Sequence, residues 1–193
     1  GQAMQAAVPV GVGAMAALLG LDFADAVAVA EEAAQGEVCT AANDNANGQV
    51  VVSGHKAAVE RAIEIAKEKG AKRAVLLPVS APFHCSLMQP AADRMAEALA
   101  EVAMNAPGKP VVANVTAEKT DNPETIRKLL VEQVCGTVRW RESVLYMKTQ
   151  GITDLVEIGA GKVLTGMVRR IDRDLTGTSV NGPADIEAFL GTL

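Results

Sequence analysis

Aromatic side chains are scarce in this sequence, at 3% of its 193 residues. Apolar residues nevertheless make up 49% of the chain, so the core has to be built mainly from Ala, Val, Leu, Ile and Met. Close-packed layers of helices and strands suit such a core better than an aromatic-rich sandwich does. The sequence therefore predicts an α/β protein, with one sizeable core or two small domains that share an interface.

Cysteine and histidine are also few, with three and two residues. Cys39, Cys85 and Cys135 lie far apart and form no CxxC pair, which argues against a disulfide framework and against a zinc site. We expect reduced thiols, a cytoplasmic location and no metal centre.

Long hydrophobic runs and an excess of positive charge are absent as well. No apolar run reaches the roughly 18 residues of a membrane span, and the first five residues carry no charged segment typical of a signal peptide. The missing initiator Met suggests processing or a chain that starts in mid-protein. A net charge of −5 argues against a general nucleic-acid surface. We therefore expect neither membrane nor nucleic acid among the partners.

The first part of the chain has the element order strand, helix, strand, strand, helix, strand. Asn47-Gly48 lies between two β-prone runs and is a strong hairpin signal. Asp22 is the expected N-cap of the first helix. The predicted elements are strand 11–19, helix 22–34, strands 37–43 and 49–54, helix 55–69 and strand 74–77. This order is the split βαβ pattern of a ferredoxin-like domain, over roughly residues 10–80.

After residue 80 strands and helices alternate, which implies a parallel sheet. Asn122 is the expected N-cap of one of these helices. The predicted strands are 110–115, 152–158 and 178–180, and the predicted helices are 87–101, 123–134, 141–150, 163–171 and 183–190. Three strands are few for a parallel sheet that is covered on both faces, so this second unit looks incomplete.

His84 is the strongest candidate for chemistry. It follows the short apolar run 74–77 and the prolines Pro78 and Pro82, and it precedes a predicted helix. An imidazole on such a loop is held by a rigid frame, can be reached from solvent and titrates near neutral pH. No serine of this sequence lies in a GxSxG elbow, so no nucleophile is visible. A packed or surface histidine without a catalytic role is the alternative.

Three other features have weaker readings. The run Gly159-Ala160-Gly161-Lys162 follows a strand, but it lacks the spacing of a phosphate-binding loop and predicts a tight strand-to-helix turn instead. His55 is expected to be an exposed residue of a first helical turn. A basic cluster could dock an acidic partner, although such charges more often only solvate a surface; its members are Lys67, Lys69, Lys72 and Arg73.

Several motifs together carry a resemblance that runs the length of the chain. They are Met4-Gln5-Ala6-Ala7-Val8-Pro9, Gly48-Gln49-Val50-Val51-Val52-Ser53-Gly54, Val79-Ser80-Ala81-Pro82-Phe83-His84-Cys85, Val138-Arg139-Trp140 and Glu157-Ile158-Gly159-Ala160-Gly161-Lys162-Val163-Leu164. In this order they resemble the bacterial malonyl-CoA:acyl-carrier-protein transacylases of fatty acid synthesis.

The resemblance implies a fold and a reaction. It implies that residues 10–80 form a ferredoxin-like small subdomain, and that residues 1–9 and 81–193 form the C-terminal part of a larger α/β-hydrolase-like subdomain. The reaction is a ping-pong transfer of malonyl from malonyl-CoA to acyl carrier protein through a malonyl-serine ester, with no cofactor. These two molecules are the implied partners, together with the missing N-terminal segment of the family.

The resemblance also implies roles for particular residues. His84 corresponds to the general base, and Gln133 to the residue whose backbone carbonyl orients that base. Phe83 looks like the malonyl-selecting version of its motif. Met4, Gln5, Asn43 and Asn45 fall in segments that line the family's pocket.

The departure from the family pattern is large. The serine elbow, the oxyanion-hole loop and the arginine that pairs with the malonate carboxylate have no counterpart here, so this chain alone is expected to be inactive. Two alternatives stay open: a non-catalytic fragment that binds acyl carrier protein, and a related acyltransferase of different acyl selectivity.

Overall fold

The computed structural model describes residues 1–192. The chain divides into two compact units, Gly1–Ser143 and Val144–Leu193. Both units contain helices and strands. The helices are α1 Gln2–Ala7, α2 Phe23–Ala34, α3 Lys56–Glu68, α4 Gln89–Ala100, α5 Pro123–Glu132, α6 Trp140–Thr149, α7 Thr165–Ile171 and α8 Pro183–Leu190. The strands are β1 Gly13–Leu19, β2 Cys39–Ala46, β3 Gln49–His55, β4 Arg73–Leu76, β5 Val111–Ala113, β6 Glu118–Thr120, β7 Asp154–Ile158 and β8 Thr176–Val180.

The first unit is built on a four-stranded antiparallel sheet in the order β2-β3-β1-β4. The tight hairpin between β2 and β3 turns at Asn47-Gly48, where Gly48 adopts a positive φ of 69° that glycine accepts without strain. Strand β1 then lies between β3 and β4, with Gly13 opposite His55 and Leu19 opposite Gln49. The element order predicted for residues 11–77 is therefore the observed one.

Helices α2 and α3 pack against each other and against this sheet. Their shared core consists mostly of alanine and valine, with Leu18, Val29, Val52 and Val59 fully buried. Small side chains allow helices and sheet to approach closely. A core of this kind needs few aromatic rings, in agreement with the composition.

A further segment extends the sheet at its β2 edge. The Asp44 amide donates to the Val138 carbonyl at 2.9 Å, and the Val138 amide donates to the Ala42 carbonyl at 2.8 Å. The Thr137 hydroxyl also donates to the Ala41 carbonyl, at 2.8 Å. Residues 137–138 thus run parallel to β2 and fix the chain that follows α5 against the sheet.

The remaining elements of the first unit include two that the sequence did not predict. Helix α1 packs against α4, and β6 pairs with β5 in a two-stranded antiparallel sheet. The expectation that 110–115 joins a parallel sheet with the later strands was wrong, because its backbone bonds to the three-residue strand β6 instead.

In the second unit β7 and β8 pair in parallel, with Asp154 opposite Thr176 and Ile158 opposite Val180. Helix α7 connects them and packs on β8. Two of the three strands predicted for a parallel sheet therefore form one. Within residues 1–192, no helix is long and apolar enough to cross a membrane.

Candidate active site

His84 lies on the turn between β4 and α4. Its backbone has a positive φ of 58°, a conformation that is uncommon for a residue with a side chain. The Phe83 amide donates to the Ala81 carbonyl at 3.2 Å, and the Met88 amide donates to the Cys85 carbonyl at 3.0 Å. The histidine is half-buried, so it is held by the fold and remains partly accessible from solvent.

The His84 ring contacts the end of α5. Its Nδ1 lies 3.1 Å from the Gln133 carbonyl oxygen, and Gln133 is the C-cap of that helix. A carbonyl can only accept, so Nδ1 must carry the proton and donate it. The Nε2 lone pair is then free to accept a proton, which is the state that a general base requires.

Phe83 packs beside the histidine. The half-buried ring contacts one apolar cluster made of Val8, Ala81 and Met88 and a second made of Met15, Ala42 and Val51. Met4 packs against the first of these clusters. The structure thus brings two of the five predicted pocket residues, Met4 and Phe83, to one apolar cluster next to His84.

The other predicted pocket residues stand on α1 and β2. Gln5 accepts a hydrogen bond from the Ser80 hydroxyl at 2.9 Å, which ties α1 to the loop that leads to His84. Asn43 and Asn45 are half-buried on β2, where the ladder to β3 is interrupted by register shifts. Asn43 pairs with Val138, on the segment that follows Gln133. The β2 edge and the end of α5 are therefore held together.

An ion pair on β2 was not predicted. Asp44 lies between the two asparagines and is 1% exposed. Its carboxylate accepts hydrogen bonds from Arg141 Nε at 3.0 and 2.9 Å and pairs with Nη2 at 2.8 Å. The partners are 97 residues apart, so no spacing pattern in the sequence could have revealed the pair.

The basic cluster is partly neutralised. Lys67 pairs with Glu64 at 2.8 Å and Lys69 with Glu32 at 2.7 Å. Lys72 and Arg73 are exposed and have no acidic partner among the described residues. Two of the four predicted docking residues thus carry charge that is available to a partner.

His55 differs from its prediction. It ends β3 and is half-buried, and its Nδ1 accepts a hydrogen bond from the Val38 amide at 2.9 Å. The expectation of an exposed residue in a helical turn was wrong, because the strand extends one residue further than its sequence suggests. Since Nδ1 accepts here, the proton of neutral His55 sits on Nε2, the reverse of His84.

The loop 159–162 shows no free anion site. The Glu157 carboxylate accepts hydrogen bonds from the amides of Leu164 and Thr165, at 3.2 and 2.8 Å, and these amide contacts lower its pKa. The Gly161 amide donates to Asn181 Oδ1 at 2.8 Å. A carboxylate already occupies the start of α7, where a phosphate would bind. The segment is a strand-to-helix turn, as predicted.

Metal binding has no support in the part of the chain that the structure describes, residues 1–192. There, no group of three or more His, Cys, Asp or Glu side chains is arranged to hold an ion.

Comparison with known proteins assigns these features to a family of sequences. The family model described as "Acyl transferase domain" matches residues 1–183. The malonyl CoA-acyl carrier protein transacylase of Escherichia coli strain K12 is 51% identical over 190 residues, which are 98% of this chain and 62% of that protein. The Bacillus subtilis protein of the same name is 42% identical over 194 residues, covering 100% of this chain and 61% of that protein.

Solved structures give the same result. The acyl-carrier-protein-S-malonyltransferase of Bartonella henselae superposes with a TM-score of 0.95 at 53% identity, covering 99% of this chain and 61% of that one. A malonyl-transacylase in complex with a type II PKS acyl-carrier protein superposes with a TM-score of 0.96 at 44% identity, covering 100% of this chain and 62% of that one. The predicted resemblance and the mixed α/β fold are confirmed. The chain spans about three fifths of the length of the relatives that it matches.

Proposed function

This chain belongs to the acyl transferase domain family, and on that premise we propose that the protein containing it transfers malonyl from malonyl-CoA to the phosphopantetheine thiol of acyl carrier protein. The observation that carries the proposal is the hydrogen bond between His84 Nδ1 and the Gln133 carbonyl. It leaves Nε2 unprotonated and therefore able to act as a base. The similarity to transacylases over 98% of the chain supports the choice of reaction.

The proposed mechanism has two half-reactions with His84 as the shared base. In the first, Nε2 takes the proton of a serine hydroxyl, the serine oxygen attacks the malonyl thioester, and coenzyme A leaves as a thiol after receiving that proton. In the second, Nε2 takes the proton of the carrier thiol, which attacks the malonyl-serine ester and returns the serine hydroxyl. Gln133 acts as a positioning residue. The serine lies outside these 193 residues, so the chain alone is proposed to be inactive.

The finer division of the fold is also a proposal. Residues 10–80 are the ferredoxin-like small subdomain, and the antiparallel order β2-β3-β1-β4 with two helices supports this. Residues 1–9 and 81–193 belong to an α/β-hydrolase-like subdomain, for which the parallel pair β7-β8 is the supporting observation.

Substrate selection is assigned to the residues around His84. Phe83 fills the space beside the substrate's α-carbon, and Met4, Gln5, Asn43 and Asn45 line the rest of the acyl pocket. The half-buried position of Phe83 between two apolar clusters supports its role, since a fixed ring cannot yield to an added methyl group. In the whole protein, Phe83→Ser should therefore reduce the selectivity for malonyl over methylmalonyl. An unchanged preference would overturn this role of Phe83.

Carrier binding without catalysis is the second candidate function. The exposed charges of Lys72 and Arg73, which lack an acidic partner in the described residues, favour docking of an acidic carrier protein. Reversing both charges should weaken carrier binding, whereas reversing Lys67, which is paired with Glu64, should weaken it less. If all these variants bound the carrier protein with the affinity of the unchanged protein, this surface would be excluded as the docking site.

The cytoplasmic location stays a prediction.

The test of the main proposal is an intact mass of the whole protein before and after incubation with malonyl-CoA. We expect a gain of one malonyl group, which acyl carrier protein then removes. His84→Ala should slow this labelling by about 10²- to 10⁴-fold, while His55→Ala, at the other histidine of the chain, should leave it near normal. Rapid labelling of His84→Ala, or malonylation of the 193-residue chain alone, would contradict the mechanism.

A further inference from the structure

The backbone of His84 needs an external restraint. A φ of 58° at a residue with a side chain is unfavourable unless surrounding contacts hold it. The contact with Gln133 engages only the ring, so it does not by itself fix the turn. Something on the turn must keep the backbone of His84 in this conformation.

The side chain of Cys85 supplies such a contact. Its thiol is buried, with 1% of the residue exposed, and Sγ donates a hydrogen bond to the Pro82 carbonyl at 3.1 Å. This bond closes a loop that contains Phe83 and His84. Pro82 is fully buried and packs closely on β1, since a Cβ placed on Gly13 would lie 2.3 Å from Pro82 Cγ. The thiol therefore ties the histidine turn to a buried, closely packed residue.

We propose that Cys85 is a second positioning residue of His84, beside Gln133: its thiol, bonded to the Pro82 carbonyl, holds the left-handed turn that aims the imidazole at Gln133. The inference rests on the proposed function only where it calls His84 the base. The positional claim itself concerns two hydrogen bonds and one backbone angle.

The protonation of the thiol agrees with this role. Only the protonated thiol can donate to a carbonyl, and burial raises the pKa of Cys85. Cys85 therefore stays a donor throughout the pH range in which His84 would work. The same burial makes it a poor nucleophile, which separates it from the reacting groups.

The two histidines allow a direct test. In the neutral state His84 carries its proton on Nδ1 and His55 carries it on Nε2, because their Nδ1 atoms have opposite hydrogen-bonding roles. Nitrogen-15 spectra of histidine-labelled chain at about pH 8, where free imidazole is neutral, should show these two tautomers separately. His55 serves as the internal reference.

Four variants isolate the thiol. Cys85→Ala removes the donor, Cys85→Val removes it while filling the volume, and Cys85→Ser keeps a donor in the same place. Cys39→Ala is the matched control, because Cys39 is a second buried thiol, 5% exposed, in the core between the sheet and its helices. In Cys85→Ala and Cys85→Val we expect the spectrum of His84 to change from that of the Nδ1–H tautomer to an average of the two tautomers. Cys85→Ser and Cys39→Ala should keep it.

Each result of these spectra either supports the proposed role of Cys85 or overturns it. An unchanged His84 tautomer in a folded Ala or Val variant would overturn the proposal, and so would its loss in a folded Cys85→Ser chain. If Cys85→Ala does not fold, Cys85→Val and Cys85→Ser still supply the comparison. In the whole protein, Cys85→Ala should lower kcat/KM about 10- to 100-fold, as expected for a misplaced base, with recovery in Cys85→Ser. The spectra need no substrate, so failure of malonyl transfer and failure of this inference remain distinguishable.

Discussion

Asp44 carries a buried charge that needs a partner of opposite charge. It is 1% exposed, and the guanidinium of Arg141 neutralises it. Asp44→Asn keeps the shape but leaves Arg141 without its counter-charge, and Arg141 is only 27% exposed. We expect a loss of about 2 to 3 kcal/mol in the free energy of unfolding. Urea unfolding followed by circular dichroism measures it.

Glu97→Gln is the control for this ion pair. Glu97 pairs with Arg94, and these side chains are 69% and 75% exposed. Exposed pairs contribute little, so the change should be below about 0.5 kcal/mol. Equal losses for the two variants would contradict the burial argument for Asp44.

The three thiols should differ in reactivity by residue. Burial raises the pKa of Cys39 to about 11 and also raises that of Cys85, and the two residues are 5% and 1% exposed. Burial also raises the pKa of Cys135, but this thiol is only half-buried and is therefore the one that reagents can reach. Alkylation follows the accessible thiolate, so in the native chain at pH 8 Cys135 should react at least about tenfold faster than the other two.

Peptide mass spectrometry after a time course with iodoacetamide measures these rates. The control is the same reaction in 8 M urea, where all three thiols should react alike. Modification of Cys39 at the rate of Cys135 in the native chain would show that the β2 core opens readily.

At the residue scale, the sequence alone pointed to His84 as a candidate base but not to its hydrogen-bond partner. A backbone carbonyl has no sequence signature, and Gln133 lies 49 residues away, so only the family resemblance pointed to it. The Asp44–Arg141 pair and the bond from Cys85 to Pro82 depend on how distant or strained segments fold. Neither alters the local pattern of residue types, which is why neither was predicted.

At the element scale, the N-cap of α5 makes a measurable contribution. The Asn122 side chain accepts a hydrogen bond from the Thr125 amide at 2.9 Å, and Pro123 follows at the first helical position. Asn122→Ala removes this acceptor and should lower the free energy of unfolding by about 1 kcal/mol. Asn122→Asp should retain most of it, because aspartate caps equally well. Urea midpoints compare the variants.

Asn105→Ala is the control for Asn122→Ala, because it replaces an asparagine that lies outside helices and strands. Asn105 is exposed in an irregular segment, so its replacement should change stability by less than about 0.5 kcal/mol. If Asn122→Ala were equally neutral, the cap would not stabilise α5.

Elements were predictable where their signals are local. Asp22 and Asn122 were expected as N-caps, and both side chains accept the amide three residues ahead. Helix α1 has no side-chain cap and β6 has three residues, so neither shows enough periodicity to be recognised. The end of β3 at His55 was also misplaced, because the bond from the Val38 amide that holds it there joins distant residues.

At the scale of the whole molecule, the element order constrained the four-stranded sheet but not the pairing of the later strands. The βαββαβ order and the Asn47-Gly48 turn leave few ways to assemble residues 13–76. Strand β5 could pair with any neighbour, and its choice of β6 depends on the adjacent turn at Ala117, which has a positive φ of 55°.

The pH dependence of stability is the last prediction, and its acid side follows from five carboxyl groups. The pKa values of all five groups are lowered in the folded chain. The chief cause is the Arg139 guanidinium for Glu142, the Lys148 ammonium for Asp172 and threonine hydroxyls for Asp154. For Glu157 and Asp185 the chief cause is hydrogen bonding from backbone amides. A lowered folded pKa contributes stability above the unfolded pKa, near 4. That contribution is lost as the pH falls through the folded values.

The alkaline side has the opposite sign. The pKa of Cys39 rises from 9.0 to about 11 through burial, so the folded chain keeps the thiol protonated while the unfolded chain ionises. The contribution of this thiol to stability is therefore fully present below pH 9 and is lost between pH 9 and about 11. Urea midpoints from pH 3 to 10.5 should form a plateau at about pH 5 to 8 with losses on both sides. In Cys39→Ala the alkaline loss should be smaller and the acid loss unchanged, since the acid side depends on carboxylates alone; an identical alkaline loss would remove Cys39 as its cause.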